Sequence, residues 1–292
     1  MRTVVRFSPD LGRWLVHGLD RGQAPQALVA AMQGQGMNAR SAQAIVAAFV
    51  DARQRGVQPP ADHIELPHEA AARPAARLAP GTRIAAHDRE IGVHARTGDP
   101  VFAALGNVLD AAECQAVIEM ARARLKPSTL VDPMSGRDIV SEQRTSWGMF
   151  FRLQENELIA RLDRRLSVLM NLPLEHGEGL QVLHYPTGAG SEPHHDYLAP
   201  TNAANRESVA RSGQRVSTLV AYLNDPPEGG QTVFPQLGLA VSPLRGNACY
   251  FEYGDDAGRV DARLLHASAP VARGEKWVLT KWMRNRPFVP VG

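Results

Sequence analysis

The first fifth of the chain has the apolar spacing of short helices. Leu28, Val29 and Met32 recur at intervals that place them on one face of a helix, and residues 45–50 repeat the pattern. We therefore predict that residues 1–56 form a small helical module. The pattern does not indicate what this module does.

A proline-rich stretch follows the helical module. Residues 57–82 contain five prolines among many alanines. Proline lacks a backbone N–H and has a fixed φ angle, so this composition disfavours both helices and sheet ladders. We expect a linker over residues 57–82 and a main domain over residues 83–292.

Two amphipathic helices are predicted in the first half of the main domain. The first begins at Asp110, which forms a capping box with Glu113, and apolar residues then recur over 114–125. The second covers residues 155–171, where leucines and an isoleucine share one side. We expect both helices to pack on the outside of a sheet.

From residue 179 onward the pattern changes to short runs with period two, separated by Gly, Pro, Asn and Asp. The predicted strands are 180–185, 193–197, 216–223, 232–234, 239–242, 247–252, 263–268 and 276–284. Eight short strands after two helices indicate an α+β fold with a mainly β core. We expect a double-stranded β-helix (jelly roll) with flanking helices.

Charge and cysteine content narrow the class of protein. A net charge of +2 gives no reason to expect a nucleic-acid or membrane partner. Cys114 and Cys249 are far apart in sequence and match no metal-site spacing. The first ten residues lack the pattern of a secretory signal, and no later stretch has the length and apolar character of a membrane span. We expect a cytoplasmic protein, and its oligomeric state is left open.

A pair of metal-binding residues stands in the second predicted strand. Side chains alternate along a strand, so His194 and Asp196 share a face, and His195 points to the other. A third ligand has to come from a distant strand, and His266 is the only histidine after the pair. Two histidines and one carboxylate leave coordination positions open, which suits ferrous iron and O2. His184 and His195 are weaker candidates, because alternation turns them away.

Lys276 opens the last predicted strand and points into the expected barrel. A buried ammonium group is costly unless an anion meets it, and a dicarboxylate cosubstrate would supply that anion. Thr218 and Tyr222 share a face of their strand, and Tyr185 is placed to join them. The alternative for each hydroxyl is an ordinary core residue with a polar tip.

An ordered set of motifs between residues 107 and 286 resembles the prolyl 4-hydroxylase branch of the 2-oxoglutarate and Fe(II)-dependent dioxygenases. The set comprises Arg144-Thr145-Ser146, Gln181 to Tyr185, His194-x-Asp196, Tyr222-Leu223-Asn224-Asp225, Gly229-Gly230-x-Thr232-x-Phe234-Pro235, and His266 to Trp282 with Pro270-Val271, Gly274, Lys276 and Trp277. The chain departs from the family at Pro186-Thr187 and at Ser191, where an aromatic residue is frequent. We therefore expect a different pocket mouth.

The resemblance implies a site and a reaction. It assigns His194, Asp196 and His266 to Fe(II). It assigns Lys276 to the distal carboxylate of 2-oxoglutarate, with help from Tyr222 and Thr218, and places Tyr185 in the same pocket. The family spends 2-oxoglutarate and O2 to hydroxylate a C–H bond, releases succinate and CO2, and uses L-ascorbate to rescue oxidised iron. No protein acid or base is needed, so the resemblance implies no catalytic residue beyond the metal ligands.

Two polar segments are candidates for loops that cover the substrate. Residues 199–214 contain few apolar positions, which is typical of a lid or of a solvated loop. The family places a mobile substrate loop at residues 126–143, and Arg144 would anchor its end unless it forms a surface ion pair. Trp282 shares the face of Lys276 and completes the set of substrate candidates.

Three functions remain open at this point. The first is hydroxylation of a prolyl residue in a peptide or protein, which the resemblance favours. The second keeps the chemistry but takes a free amino acid or another small molecule as substrate. The third is a non-catalytic metal-binding jelly roll whose helical module recruits a partner. A zinc hydrolase is weaker, because no general base stands at a fixed spacing from the ligands.

Overall fold

The structure of the protein is a computed structural model, and it describes residues 3–66, 76–127, 129–131, 138–140, 145–255 and 260–290. The chain divides into two compact units, Met1–Arg73 and Pro74–Gly292. Within the described ranges, none of the helices combines the length and the apolar character that crossing a bilayer requires.

The first unit contains three helices and a two-stranded antiparallel sheet. Its elements are β1 (Thr3–Arg6), α1 (Pro9–Asp20), α2 (Pro25–Gly34), α3 (Ala39–Arg55) and β2 (His63–Leu66). Ser8 caps α1 by accepting from the N–H of Leu11, and Gly56 ends α3 in the left-handed conformation. Leu28 and Phe49 lie in the apolar core of this unit.

The predicted linker, residues 57–82, contains ordered structure at both ends. Residues 63–66 form β2, which pairs with β1 and buries Ile64 in the core of the first unit. At the other end Leu78 is buried, and Arg77 forms an ion pair with Glu252 at 3.0 Å. The proline-rich composition describes local preferences only, so it did not reveal these long-range contacts.

The second unit carries the helices and strands that build the site. Its helices are α4 (Ala111–Arg122), α5 (Glu157–Leu169) and α6 (Ala203–Ser212). Its first strands are β3 (Arg83–Ala86), β4 (Arg89–Gly98), β5 (Val101–Gly106), β6 (Lys126–Pro127), β7 (Thr129–Val131), β8 (Asp138–Val140) and β9 (Trp147–Phe150). The later strands are β10 (Gln181–Tyr185), β11 (Ser191–His194), β12 (Arg215–Tyr222), β13 (Glu228–Gly229), β14 (Thr232–Phe234), β15 (Leu239–Val241), β16 (Ala248–Glu252), β17 (His266–Ser268), β18 (Val271–Arg273) and β19 (Lys276–Arg284).

Two antiparallel sheets dominate the second unit. One has nine strands in the order β3-β4-β5-β16-β12-β19-β10-β9-β6, and the other has four in the order β11-β17-β14-β15. Phe234 of the smaller sheet packs edge-on against Phe251 of the larger one, with ring centroids 5.2 Å apart. The opposite face of the larger sheet is covered by apolar residues of α4 and α5. The fold is therefore mixed helix and sheet, with large antiparallel sheets.

Several local predictions meet the structure directly. The capping box of Asp110 and Glu113 is confirmed at the start of α4. The predicted helix 155–171 is α5, which begins two residues later because Asn156 is its N-cap. The prediction of a loop over residues 199–214 is wrong for most of the segment, because residues 203–212 form α6.

Candidate metal centre and its pocket

Two histidines on paired strands and an aspartate just beyond the first of these strands form a group able to hold a metal ion. The ligand atoms of His194, Asp196 and His266 all lie within 4.8 Å of one another. Nε2 of His194 is 3.8 Å from Oδ1 of Asp196, and Nε2 of His266 is 3.6 Å from Oδ2. β11 and β17 pair so that the two histidines stand opposite each other, which brings distant parts of the chain together.

Backbone carbonyl groups orient both imidazole rings. Nδ1 of His194 lies 2.8 Å from the carbonyl oxygen of Glu192, and Nδ1 of His266 lies 3.1 Å from that of Leu264. A carbonyl oxygen only accepts, so each Nδ1 carries a proton and donates it. This tautomer of the neutral ring leaves the lone pair of each Nε2 for a metal ion.

The carboxyl group of Asp196 is ionised although it is buried. Burial alone would raise its pKa, but the nearby His266 and His194 lower it again. Arg215 and the hydroxyl of Thr218 act in the same direction, and the pKa of Asp196 falls to about 2. An ionised carboxylate and two imidazole Nε2 atoms fit Fe(II) as a ligand set.

The three ligands line a cavity of about 780 Å³. Its walls come from both sheets and from the segment between β11 and β12. The deep end is lined by Tyr185, Thr232, Ser268 and Lys276, and the sides include Phe150, Gln181, Tyr197, Asn205, Arg215, Thr280 and Trp282. The cavity is large enough for a small cosubstrate together with part of a second molecule.

Lys276 lies at the deep end of this cavity and is only 2% exposed. Its Nζ donates to Oγ of Ser268 at 2.8 Å. In the part of the chain that the structure describes, no carboxylate forms an ion pair with it. Burial lowers the pKa of Lys276 to about 8, so the group is still mostly charged at neutral pH.

A second buried lysine, Lys281, differs from Lys276 because its charge has a partner inside the protein. Lys281 is fully buried, and its Nζ donates to Oδ1 of Asp163 at 2.8 Å and to the carbonyl oxygen of Glu178 at 2.6 Å. Its charge is therefore compensated inside the protein. Among the described residues Lys276 contacts the neutral hydroxyl of Ser268 and the rings of Tyr185 and Tyr222, at 5.3 and 5.9 Å, but no anion. It is therefore arranged for an anion from outside.

Residues in two of the motifs hold Lys276 in place. Nδ2 of Asn224 donates to the carbonyl oxygen of Glu275 at 2.8 Å, and Oδ1 accepts from the N–H of Trp277 at 2.7 Å. The asparagine thus binds the backbone on both sides of the lysine. A Cβ atom at Gly230 would lie 3.1 Å from Cδ of Lys276, so the glycine leaves room for the lysine stem.

Two hydroxyls predicted to bind the cosubstrate have other partners. Oγ1 of Thr218 donates to Oδ2 of Asp196 at 2.7 Å, which places it at the metal end of the cavity. The hydroxyl of Tyr222 is buried against Oγ1 of Thr232 at 2.9 Å, and Tyr222 is not among the lining residues. These contacts give both hydroxyls partners within the protein, whereas Tyr185 lines the cavity.

Sequence reasoning missed two hydroxyls beside Lys276. Ser268 and Thr232 line the deep end of the cavity, and they stand opposite each other in the pairing of β14 with β17. The signal for Ser268 was available, because it follows His266 by two residues and so shares its face. Thr232 is part of a quoted motif but carried no role there.

The substrate candidates are only partly described. Trp282 lines the cavity, and the guanidinium group of Arg215 lies 3.9 Å from the centre of its ring. Arg144 lies outside the described residues, as do 128, 132–137 and 141–143 of the candidate loop 126–143. Asn205 of α6 lines the cavity, so segment 199–214 contributes to the wall.

The two alternative histidine ligands lie away from the metal group. Nε2 of His195 is 2.9 Å from the carbonyl oxygen of Ala262. His184 stacks on Trp277 with ring centroids 4.3 Å apart, and its Nε2 pairs with Glu275 at 2.7 Å. Neither ring belongs to the group of three.

Comparisons with known proteins agree with this site. Residues 180–284 match a family model described as the 2OG-Fe(II) oxygenase superfamily. Probable prolyl 4-hydroxylase 10 of Arabidopsis thaliana is 35% identical over 209 residues, which cover 65% of this chain and 71% of the relative. Prolyl 4-hydroxylase 1 of the same plant is 37% identical over 202 residues, which cover 64% and 70%.

A solved structure is also similar. It is the 2OG complex of a viral collagen prolyl hydroxylase from Paramecium Bursaria Chlorella virus-1, with 26% identity and a TM-score of 0.49, covering 62% of this chain and 94% of that one. The identity to the plant relatives, over more than two thirds of their length, establishes the family. The chain therefore belongs to the prolyl 4-hydroxylase-like 2-oxoglutarate and Fe(II)-dependent oxygenases, and it is a 2-oxoglutarate-dependent dioxygenase.

Proposed function

We propose that this protein hydroxylates a prolyl residue in a peptide or protein. The observation that carries the proposal is the buried ammonium group of Lys276, which has no carboxylate partner among the described residues and shares a cavity with three metal ligands. When bound, ferrous iron with 2-oxoglutarate and O2 supplies the oxidant that converts C–H to C–OH, with succinate and CO2 as co-products.

The residues of the cavity divide the work of binding between its two ends. At the deep end, Lys276 supplies a charge-assisted hydrogen bond to the distal carboxylate of 2-oxoglutarate. Ser268 and Thr232 add neutral hydroxyls beside it. At the other end, His194, Asp196 and His266 would hold the metal. The apolar walls between the two ends exclude water from a reactive site.

The wall near the mouth fits a peptide backbone. Oε1 of Gln181 and Nε1 of Trp282 are buried without a hydrogen-bond partner among the described residues, and both side chains line the cavity. Leaving a buried polar atom unpaired costs about 1–3 kcal/mol. A peptide carries both kinds of partner that these atoms lack, carbonyl oxygens for the indole N–H and amide N–H groups for the glutamine. Both atoms are closed to solvent here, so contact with a peptide requires the wall to open. Phe150 is 51% exposed beside Trp282 and extends this wall.

The proposal has further parts that follow the sequence analysis. The two antiparallel sheets around one aromatic core support a double-stranded β-helix. L-ascorbate is proposed as the reductant that rescues oxidised iron, because the family uses it. A cytoplasmic location is proposed from the sequence. The helical module over 1–56 and the linker over 57–82 stay predictions.

Peptide and free amino-acid substrates are separated by a direct assay. Protein supplied with Fe(II), 2-oxoglutarate and ascorbate is expected to release succinate in proportion to a mass increase of one oxygen on proline in proline-containing peptides. Matched peptides with alanine in place of proline serve as controls. Modification of free proline, with all peptides unchanged, would contradict the proposal.

The affinity for 2-oxoglutarate is expected to fall as the pH rises through about 8. Burial lowers the pKa of Lys276 to about 8, so the ammonium form that binds the carboxylate is lost above this value. The dissociation constant should then rise up to about tenfold per pH unit. Calorimetric titration of the Mn(II)-loaded protein between pH 7 and 9.5 measures it.

A Lys276→Arg variant is the control for this pH profile. Its guanidinium group stays charged over the whole range, so its affinity should change little with pH. A wild-type profile as flat as that of the arginine variant would show that Lys276 does not titrate in this range.

A further inference from the structure

The buried hydroxyl of Thr218 is directed at the metal ligand Asp196. Its Oγ1 lies 2.7 Å from Oδ2 of Asp196 and 3.1 Å from the hydroxyl oxygen of Tyr253. All three side chains are buried, with Thr218 fully so. Within the described residues, these contacts make Thr218 the link between a tyrosine and the carboxylate of the proposed metal site.

The direction of these hydrogen bonds follows from the number of protons. An ionised carboxylate only accepts, so the single hydroxyl proton of Thr218 is donated to Asp196. The phenol of Tyr253 therefore donates to the oxygen of Thr218. The result is a directed chain from Tyr253 through Thr218 to Asp196.

The larger sheet holds this chain rigidly. Thr218 lies within β12 and is paired with Phe251 of β16 and Trp282 of β19. Tyr253 follows the end of β16, and its N–H donates to the carbonyl oxygen of Val216 at 3.0 Å. Asp196 lies beyond the end of β11, where no strand pairing fixes its side chain. Arg215 holds the backbone there by donating to the carbonyl oxygen of Asp196 at 3.2 Å, and the hydroxyl of Thr218 orients the carboxylate.

The hydrogen bond from Thr218 makes the two oxygens of the Asp196 carboxylate unequal as metal ligands. An oxygen that accepts a short hydrogen bond is a weaker ligand than its neighbour, so Oδ1, on the side of His194, is the stronger donor. A carboxylate held in this way binds through one oxygen. Binding through both would occupy a coordination position that 2-oxoglutarate and O2 need.

We propose that Thr218 is a positioning residue that holds Asp196 as a one-oxygen metal ligand, and that Tyr253 fixes the rotamer of Thr218. The proposal rests on the metal centre of the proposed function and is independent of the substrate.

Co(II) titration of the metal-free protein tests this role without turnover. Thr218→Val keeps the volume and removes the hydroxyl, and the Co(II) affinity should fall roughly 10- to 100-fold, as for other groups that orient metal ligands. The visible absorption of bound Co(II) should also change, because the released carboxylate adds its second oxygen. Thr218→Ser should restore both the affinity and the spectrum.

Folding defects are separated from positioning by thermal unfolding of the metal-free variants. The valine and serine variants are expected to unfold at similar temperatures and to differ in Co(II) binding. If the valine variant binds Co(II) with wild-type affinity and spectrum, or if the serine variant fails equally, the positioning role is wrong. Failure of the wild type to bind Co(II) would overturn the metal centre as well.

A pair of tyrosine variants tests the second link of the chain. Tyr253→Phe is expected to weaken Co(II) binding less than Thr218→Val does. Tyr250→Phe is the matched control, because its buried hydroxyl donates to Oε1 of Glu252 at 2.8 Å on the other face of β16. An equal loss of Co(II) affinity in both variants would contradict the role of Tyr253. A wild type that binds Co(II) but hydroxylates no peptide would contradict the proposed substrate and leave the positioning role supported by these variants.

Discussion

Replacing His266 with alanine is expected to abolish turnover and to reduce Fe(II) binding below detection. Its imidazole is one of three proposed ligands, and among the described residues no other cluster of His, Cys, Asp or Glu could hold a metal ion in this way. The ring is 5% exposed, so water has little access to replace it. Under anaerobic conditions, Fe(II) and 2-oxoglutarate should give a visible charge-transfer band with the wild type and none with the variant.

His184→Ala is the matched control for the loss of an imidazole. His184 pairs with Glu275 and stacks on Trp277, away from the metal group, so its replacement should preserve the band. The folded state of both variants is checked by circular dichroism, because the His266 ring also packs 4.8 Å from that of Phe251. Persistence of the band in a folded His266→Ala protein would exclude His266 as a ligand.

The metal ligands were accessible to sequence reasoning because two of them lie on paired strands. His194 ends β11 and His266 begins β17, and these two strands pair directly. Strand alternation predicted that Asp196 shares the face of His194. In the structure, however, β11 ends at His194, so a bend brings the carboxylate into the group. Asp196 therefore joins the group through a bend in the chain and not through strand alternation.

Strand alternation gave the face of a side chain but not its depth in the cavity. Thr218 and Tyr222 share a face of β12, as predicted. Four residues span roughly 13 Å along a strand, so the two hydroxyls cannot both reach one carboxylate. Thr218 lies at Asp196, whereas Tyr222 lies nearer Lys276, with Nζ 5.9 Å from its ring centre. The spacing alone was enough to separate their roles.

The helix α6 was invisible to pattern analysis because distant residues stabilise it. Its sequence has little apolar periodicity, and only Ser212 is buried. Arg284 donates to the carbonyl oxygen of Gly213 at 2.8 Å, and Arg286 donates to that of Val209 at 2.6 Å. These bonds satisfy carbonyl groups at the C-terminal end of the helix. No local rule connects residues more than 70 positions apart.

Replacing Lys276 with methionine is expected to abolish 2-oxoglutarate binding and to stabilise the ligand-free protein. Methionine has a similar length and no charge, so the distal carboxylate loses its ammonium partner while the metal ligands remain. The buried ammonium group is destabilising in the ligand-free state, because the hydroxyl of Ser268 and the rings of Tyr185 and Tyr222 compensate its burial only in part. The ammonium group of Lys276 would thus strengthen 2-oxoglutarate binding and lower the stability of the ligand-free protein.

The size and pH range of this stabilisation follow from the pKa. Burial lowers the pKa of Lys276 from its ordinary 10.5 to about 8, which corresponds to roughly 3 kcal/mol. A depressed lysine pKa penalises the folded state fully below about pH 8, and the penalty fades as the pH rises towards 10.5. Urea unfolding should therefore show the methionine variant more stable than the wild type at pH 7 and nearly equal to it at pH 10.5.

Lys281→Met is the matched control, five residues further along β19, and we expect it to lower the stability of the protein. Lys281 is equally buried, but its removal leaves the carboxylate of Asp163 without its cation, so this variant should be less stable at pH 7. Calorimetry of the Mn(II)-loaded proteins gives the 2-oxoglutarate affinity, and metal titration should show that Lys276→Met still binds Mn(II). If Lys276→Met bound 2-oxoglutarate as the wild type does, Lys276 would not be its anchor. If it were destabilised like Lys281→Met, an internal anion would have to compensate its charge, and the observation that carries the proposed function would be lost.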